Sequence, residues 1–248
     1  MIEIVNIRKS FGGRQILDGV SSRFEDSNNS LVIGASGTGK SVLLKCMVGL
    51  IRPDEGDVLY DGRSLFNSTA KEVKKIRREM GMLFQGGALF DSLTVAQNVK
   101  FPLDMLVTEM SESDKNDQVH FCLERVGLEQ SANKKPSEIS GGMKKRVGIA
   151  RAIVMNPKYL FCDEPNSGLD PMTSIKIDEL ISEITDEYKM TTIVVTHDMN
   201  CVIGIGEYVM FLYNGIKEWE GDSNSILHAE SQPLKDFVFA SKIMEGLL

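Results

Sequence analysis

The sequence predicts an α/β fold built on a mostly parallel sheet, and three observations carry that prediction. The short apolar runs LVIG (31–34), YLFCDE (159–164) and TTIVVTH (191–197) have the length and branching of buried strands. Segments of helical period separate these runs. The glycine-rich stretch GASGTGKS (34–41) joins the first run to a helix over 40–49, an order of strand, loop and helix typical of α/β units.

The remaining elements follow in chain order. MIEIVNI (1–7), with Ile2, Ile4 and Ile7 apolar, reads as a strand. QILDGVSSRF (15–24) reads as another, with turns at Gly12–Gly13 and in the polar cluster 26–30. GDVLYDGRSL (56–65) predicts a hairpin around Asp61–Gly62. From about Lys71 to Met155 the pattern is mainly helical, and YVMFLYNGIKEWEG (208–221) carries the last strand signal. The tail 233–248 begins at Pro233, a good first helical position. Its apolar residues Leu234, Phe237, Val238, Phe239, Ile243 and Leu247 fit docking on the chain's own core, with a partner-facing role as the alternative. These boundaries predict a single domain over 1–248. Its nucleotide-binding core spans 1–85 and 156–232, a helical block spans 86–155, and a helical tail spans 233–248.

Composition narrows the function. Charged residues are 25% and apolar residues 42% of 248, ordinary for a soluble globular chain, and the net charge of −7 argues against nucleic acid as the main partner. Cys46, Cys122, Cys162 and Cys201 are scattered without metal-ligand spacing and read as reduced thiols. The start MIEIVNIRKSF lacks the apolar core of a signal peptide, and no apolar run approaches the ~20 residues that cross a bilayer.

The chemistry starts at GASGTGKS, which fits G-x-x-x-x-G-K-[ST] in its required context. Gly34, Ala35, Ser36, Gly37, Thr38, Gly39, Lys40, Ser41 and Val42 form the candidate nucleotide cradle, with backbone N–H groups turned toward phosphate at a helix N-terminus. Lys40 is placed for the β- and γ-phosphates, and Ser41 for Mg²⁺. In YLFCDEP (159–165), two carboxylates end a buried strand, on the edge where open α/β sheets bind ligands. Asp163 is the candidate Mg²⁺ residue. Glu164, expected on the opposite face of that strand, is the candidate general base for an attacking water. Gln85, after the apolar MGMLF, is a candidate for Mg²⁺ and the water. His197, at the end of TTIVVT, is a candidate donor to the γ-phosphate.

A second anion pocket is written into ISGGMKKRVGIARAI (139–153). Ser140 is a good N-cap, and Gly141 and Gly142 leave the first helical N–H groups open. Met143, Val147, Ala150 and Val154 form the expected buried stripe, while Lys144, Lys145 and Arg146 read as a solvated face.

The phosphate loop, Gln85, SGGM (140–143), FCDEP (161–165), NSGLD (166–170) and His197 stand in the order used by ATP-binding subunits of ABC transporters, which the chain resembles over essentially its whole length. The resemblance implies a P-loop NTPase fold, with a RecA-like core, an antiparallel β subdomain and an inserted helical subdomain. It implies an ATPase that uses ATP and Mg²⁺, with Phe11 stacking on adenine. Ser140, Gly141 and Gly142 would meet the nucleotide held by a second copy in a head-to-tail dimer, with Asp170 signalling across it. The partners implied are transmembrane permease subunits, at the cytoplasmic face of the inner (plasma) membrane, where the chain is peripheral. Met143 stands where most of the family has Gln, so the capping box Ser-x-x-Gln is lost. SGGM and FQGGALFDSLTVAQNVKFPL (84–103) are similar to the phospholipid-transport branch whose permeases pair with MCE-domain lipid carriers. Ala88, Leu89 and Phe90 would then take a permease helix or fill the subdomain core. The alternatives are another cargo such as amino acids, or a mechanical ATPase that acts through a membrane partner in cell-wall regulation. A phosphotransferase is opposed by the Asp163–Glu164 pair and the SGG motif.

Overall fold

The computed structural model describes residues 1–240. The chain opens as an antiparallel hairpin, β1 (Ile2–Phe11) and β2 (Arg14–Phe24), around Gly12–Gly13. β3 (Asn29–Ile33) enters a second sheet and runs through the phosphate loop into α1 (Lys40–Met47). β4 (Glu55–Tyr60) and β5 (Arg63–Ser64) return to the first sheet, which has the order β2-β1-β4-β5. α2 (Ala70–Arg78) leads to β6 (Met80–Leu83), and α3 (Val95–Leu106), α4 (Glu112–Arg125) and α5 (Gly141–Ile153) make the helical block. β7 (Tyr159–Asp163), α6 (Pro171–Tyr188), β8 (Thr191–Thr196), α7 (Met199–Ile205), β9 (Tyr208–Tyr213), β10 (Ile216–Gly221) and α8 (Gln232–Ala240) complete the chain.

The second sheet has the order β10-β9-β3-β8-β7-β6, parallel except for β10. Strands β3, β7 and β8 are buried on both faces, which explains their apolar runs. Val32, Phe161, Ile193, Val195, Met210 and Leu212 face one core with α1 and the antiparallel sheet. Leu31, Ile33, Leu160, Cys162, Val194 and Phe211 face the other, under the helical block and α6. The period of two along each strand therefore divides one sheet between two cores.

Three expectations are corrected or extended here. The mainly helical stretch 71–155 also holds a strand, β6, which pairs with β7 at the sheet edge. The segment 208–221 is two strands. Asn214 and Gly215 both take positive φ (46° and 80°), the twist that a two-residue hairpin requires, and a Cβ on Gly215 would sit 2.4 Å from the Ile16 carbonyl oxygen. The strand before the phosphate loop starts at Asn29, inside the expected polar turn.

The tail helix α8 docks on the protein itself as far as it is described. Leu234 and Val238 are buried, and the Phe237 ring lies 5.4 Å from that of Phe211. Ile243 and Leu247 lie outside the described residues. All four cysteines are free and buried. No described helix is long and apolar enough to cross a membrane.

Candidate nucleotide site

The site begins where β3 stops. Gly34 has φ +152°, and a Cβ there would stand 2.4 Å from the Leu212 carbonyl oxygen, so the loop can hug β9 at this residue without a side chain. Ala35, Ser36 and Gly37 are exposed at the loop's crest, and Thr38 Oγ1 closes it by donating to Ala35 O at 2.9 Å. Gly39, with φ +105°, is the N-cap of α1, and no side chain accepts the first N–H groups of that helix. They remain open to an anion, as P-loop chemistry needs. Val42 follows, half-buried in the first turn.

Lys40 is only 6% exposed, and its Nζ donates to Gly34 O at 2.7 Å and Ala35 O at 3.0 Å. Burial pushes its ammonium below the usual lysine range, while Glu164 and Asp163 pull it back up. It is a desolvated cation held under the loop by two carbonyls, with carboxylates nearby.

The neighbouring strands supply those carboxylates. Asp163 ends β7 and is 5% exposed, and its Oδ1 accepts from Ser41 Oγ at 3.0 Å. Glu164 lies beyond the strand in the left-handed region at φ +50°, so its direction does not come from strand alternation. Its N–H donates to Val195 O of β8 at 2.9 Å, and its carboxylate meets His197 Nδ1 at 2.8–2.9 Å. The His197 ring is 57% exposed, leaving its other nitrogen toward solvent. The parallel register pairs Asp163 with Val195, which brings both strand ends to one edge.

Other sequence-predicted residues stand apart. Gln85 is exposed, and its side chain makes no hydrogen bond to a described residue. The loop after it turns through Gly86, Gly87 and Ala88, all with positive φ (75°, 80° and 43°). Arg151 of α5 holds this loop by donating to Gly87 O at 2.6 Å and Ala88 O at 2.8 Å. Phe11, at the end of β1, is 49% exposed, with Lys9 Nζ 5.4 Å from its ring centre. Ser140, Gly141 and Gly142 line a different groove of about 780 Å³, together with Met143, Gly168, Leu169 and Asp170. No residue of the phosphate loop lines that groove.

Ser140 does cap α5, accepting from Met143 N at 3.3 Å. The reciprocal bond is missing, whereas α2 and α3 have complete boxes from Thr69–Glu72 and Thr94–Gln97. Ser140→Ala should therefore remove the whole side-chain cap, costing about 1 kcal/mol and lowering Tm by about 2–4 °C. An unchanged melting curve would show that the helix start is held by packing alone.

The stripe Val147, Ala150 and Val154 is buried as expected, with Met143 half-buried. The solvated face is corrected. Lys145 is buried and donates to Glu164 O at 3.1 Å and Ser167 Oγ at 3.2 Å, because α5 buries a second stripe, Ile149, Ala152 and Ile153, on its side. Burial lowers its ammonium pKa, opposed by Glu164, Cys162 and Asp163. Arg146 reaches Val126 O at 3.0 Å. Asp170 caps α6, accepting from Thr173 N at 3.0 Å.

A glycine-rich loop at a helix N-terminus, a Ser–Asp oxygen pair and a Glu–His contact meet on one edge of a parallel sheet, the arrangement of a P-loop NTPase fold. The chain belongs to the ABC transporter family, whose model matches residues 17–167. It is 38% identical over 242 residues to the "Probable ribonucleotide transport ATP-binding protein mkl" of Mycobacterium leprae, covering 98% of this chain and 70% of that protein. It is 39% identical over 242 residues to the "Methionine import ATP-binding protein MetN" of Carboxydothermus hydrogenoformans, covering 96% of this chain and 71% of that protein. Among solved structures, the ATP-binding cassette MJ0796 bound to ADP and Pi, a dimeric post-hydrolysis state, superposes with a TM-score of 0.81 at 33% identity, covering 90% of this chain and 99% of that one.

Proposed function

We propose that this chain is the ATP-hydrolysing subunit of an ABC transporter and that it works as a head-to-tail dimer against a transmembrane permease. One observation carries the reading: Lys40, Ser41–Asp163 and Glu164–His197 converge on one sheet edge, while Ser140–Gly142 open onto a groove that no phosphate-loop residue reaches. A nucleotide on the phosphate loop then lacks a second wall. A second copy supplies it, each signature facing the other chain's loop.

In the proposed reaction a water oxygen bonds to the γ-phosphorus as the bridging P–O bond to ADP breaks. The Glu164 carboxylate takes the water's proton, and His197 Nδ1 holds that carboxylate at 2.8–2.9 Å, leaving its other ring nitrogen for the γ-phosphate. Lys40 balances charge on the β- and γ-phosphates, and Phe11 offers a face to adenine. Ser41 and Asp163 are a pair of hard oxygen ligands 3.0 Å apart, which fits Mg²⁺, with Gln85 as a further candidate. Mg²⁺ when bound supplies charge neutralisation at the β- and γ-phosphates.

In this reading the permease docks on an apolar surface. Met80, Met82, Phe84, Phe90, Phe101 and Leu106 line an apolar groove of about 470 Å³ between β6 and α3, with the Phe90 and Phe101 rings 4.7 Å apart. Phe90 is exposed there and Leu89 half-buried, so the segment 88–90 serves both the groove and the core. An apolar permease helix suits this surface, which would hold the chain peripherally at the cytoplasmic face.

For cargo we propose phospholipid, with an MCE-domain carrier as a further partner. This rests on Met143 and the 84–103 segment. The relatives' names, ribonucleotide transport and methionine import, do not add to it. Amino-acid import is the second reading, favoured by the methionine-import relative. The complex of this chain with its permease, reconstituted in vesicles, should move labelled phospholipid only with ATP. ATP-driven uptake of labelled methionine without lipid movement would overturn the lipid reading and establish the second.

A further inference from the structure

Asp178 lies on α6, 5% exposed, and takes no part in the proposed hydrolysis. Its Oδ2 accepts a hydrogen bond from Asn166 Nδ2 at 2.8 Å. Asn166 is itself buried, in the loop between Glu164 and Asp170. The thiol of Cys201, fully buried on α7, lies against the same carboxyl group. α7 starts directly after His197–Asp198, and Asp198 caps it by accepting from Asn200 N at 2.9 Å. One interior side chain therefore touches the loop that follows Glu164 and the helix that follows His197. Those two residues meet at 2.8–2.9 Å.

No lysine or arginine pairs with Asp178 among the described residues. Burial raises its pKa to about 6. The Cys201 and Asn166 contacts act against that rise, and Asp198 and Glu179 add to it. A buried carboxyl group without a cation is a costly way to fill a core, and apolar side chains would fill it at less cost. What the polar pair adds is direction, because a hydrogen bond in a dry interior fixes one arrangement of the segments it joins.

We propose that Asp178 is a positioning residue, holding the 164–170 loop through Asn166 and the start of α7 through Cys201, so that Glu164 and His197 stay in register for hydrolysis. The inference rests on the ATPase reading above. It gives a task to Asp178 and Cys201, which lie outside the motif set, and to Asn166, the first residue of NSGLD.

The test uses Asp178→Ala, Asn166→Asp and the swap Asn166→Asp/Asp178→Asn in the full chain with its permease. Asn166→Asp sets two carboxyl groups against each other. The swap rebuilds the bond with donor and acceptor exchanged. ATP affinity should stay within about twofold in all three, since the phosphate loop is untouched. The kcat of Asp178→Ala and of Asn166→Asp should fall about tenfold to a hundredfold, as expected for a small misplacement of reacting groups. The swap should recover most of the loss. A kcat per folded chain within twofold of wild type in both single variants, with only Tm lowered, would reduce the pair to a structural contact and overturn the inference. So would a swap no better than Asn166→Asp. A wild-type complex that hydrolyses no ATP would overturn the ATPase reading and this inference together, whereas an active wild type with unaffected variants sinks the inference alone.

Discussion

Glu164→Gln should bind ATP normally, hydrolyse it about 10²–10⁴-fold more slowly, and accumulate as an ATP-held dimer. Glutamine keeps the size of the side chain and can keep a hydrogen bond to His197 Nδ1, so the contact at 2.8–2.9 Å survives in altered form. It cannot take a proton from water. The binding groups are untouched, because Lys40 is held by the Gly34 and Ala35 carbonyl oxygens and Ser41 by Asp163. The backbone at residue 164 has φ +50°, and Gln enters it about as readily as Glu, so the fold should not be penalised. Single-turnover hydrolysis measures the chemical step, and light scattering with and without ATP measures the dimer. Turnover within tenfold of wild type would remove Glu164 from the role of base.

How much of this was legible depends on whether a residue's task is local. The phosphate loop is local. Strand, glycines, lysine and helix sit within GASGTGKS and its flanks, and the structure keeps that order of strand, loop and helix, with β3 starting earlier, at Asn29. β6 was hidden because MGML is four residues long and follows a charged helix, so its alternation of half-buried and buried positions is too brief to register. The hairpin turn at Asn214–Gly215 is written in the sequence, but the apolar residues on both sides of it merge into one strand signal. Lys145 reads as solvated in the sequence because a run of three charges resembles a solvated face. The correcting signal was present in Gly148, Ile149, Ala152 and Ile153, which make α5 apolar on a second side. Glu164 reached its position by a left-handed turn that strand periodicity cannot encode. The Asp178–Asn166 pair is tertiary, joining residues twelve apart through the interior, and neither residue type announces it.

A mixture of two inactive variants should regain activity if the site is shared between chains. Lys40→Ala removes the cation under the phosphate loop, and should lose nucleotide affinity and turnover as a homodimer. Gly141→Asp disables the other half. A Cβ at Gly141 meets nothing nearer than Leu169 Cδ2 at 3.6 Å, and its φ is not in the left-handed region, so a side chain fits. A carboxylate in the first turn of α5 also suits the positive end of the helix, so the variant should fold. That same charge faces the space assigned to the partner's γ-phosphate and repels it. In a mixed head-to-tail dimer one site combines the intact phosphate loop of the Gly141→Asp chain with the intact signature of the Lys40→Ala chain, and the other site carries both defects. Random pairing of equal amounts makes half of the dimers mixed with one good site each, so roughly a quarter of wild-type sites return if each site works independently. Steady-state ATPase of the mixture against each variant alone reads the result. The proposed dimer predicts that recovery, because Gly141 lines a groove that no residue of 34–41 lines within one chain. A mixture as inactive as its components would overturn a shared site that works independently of its twin.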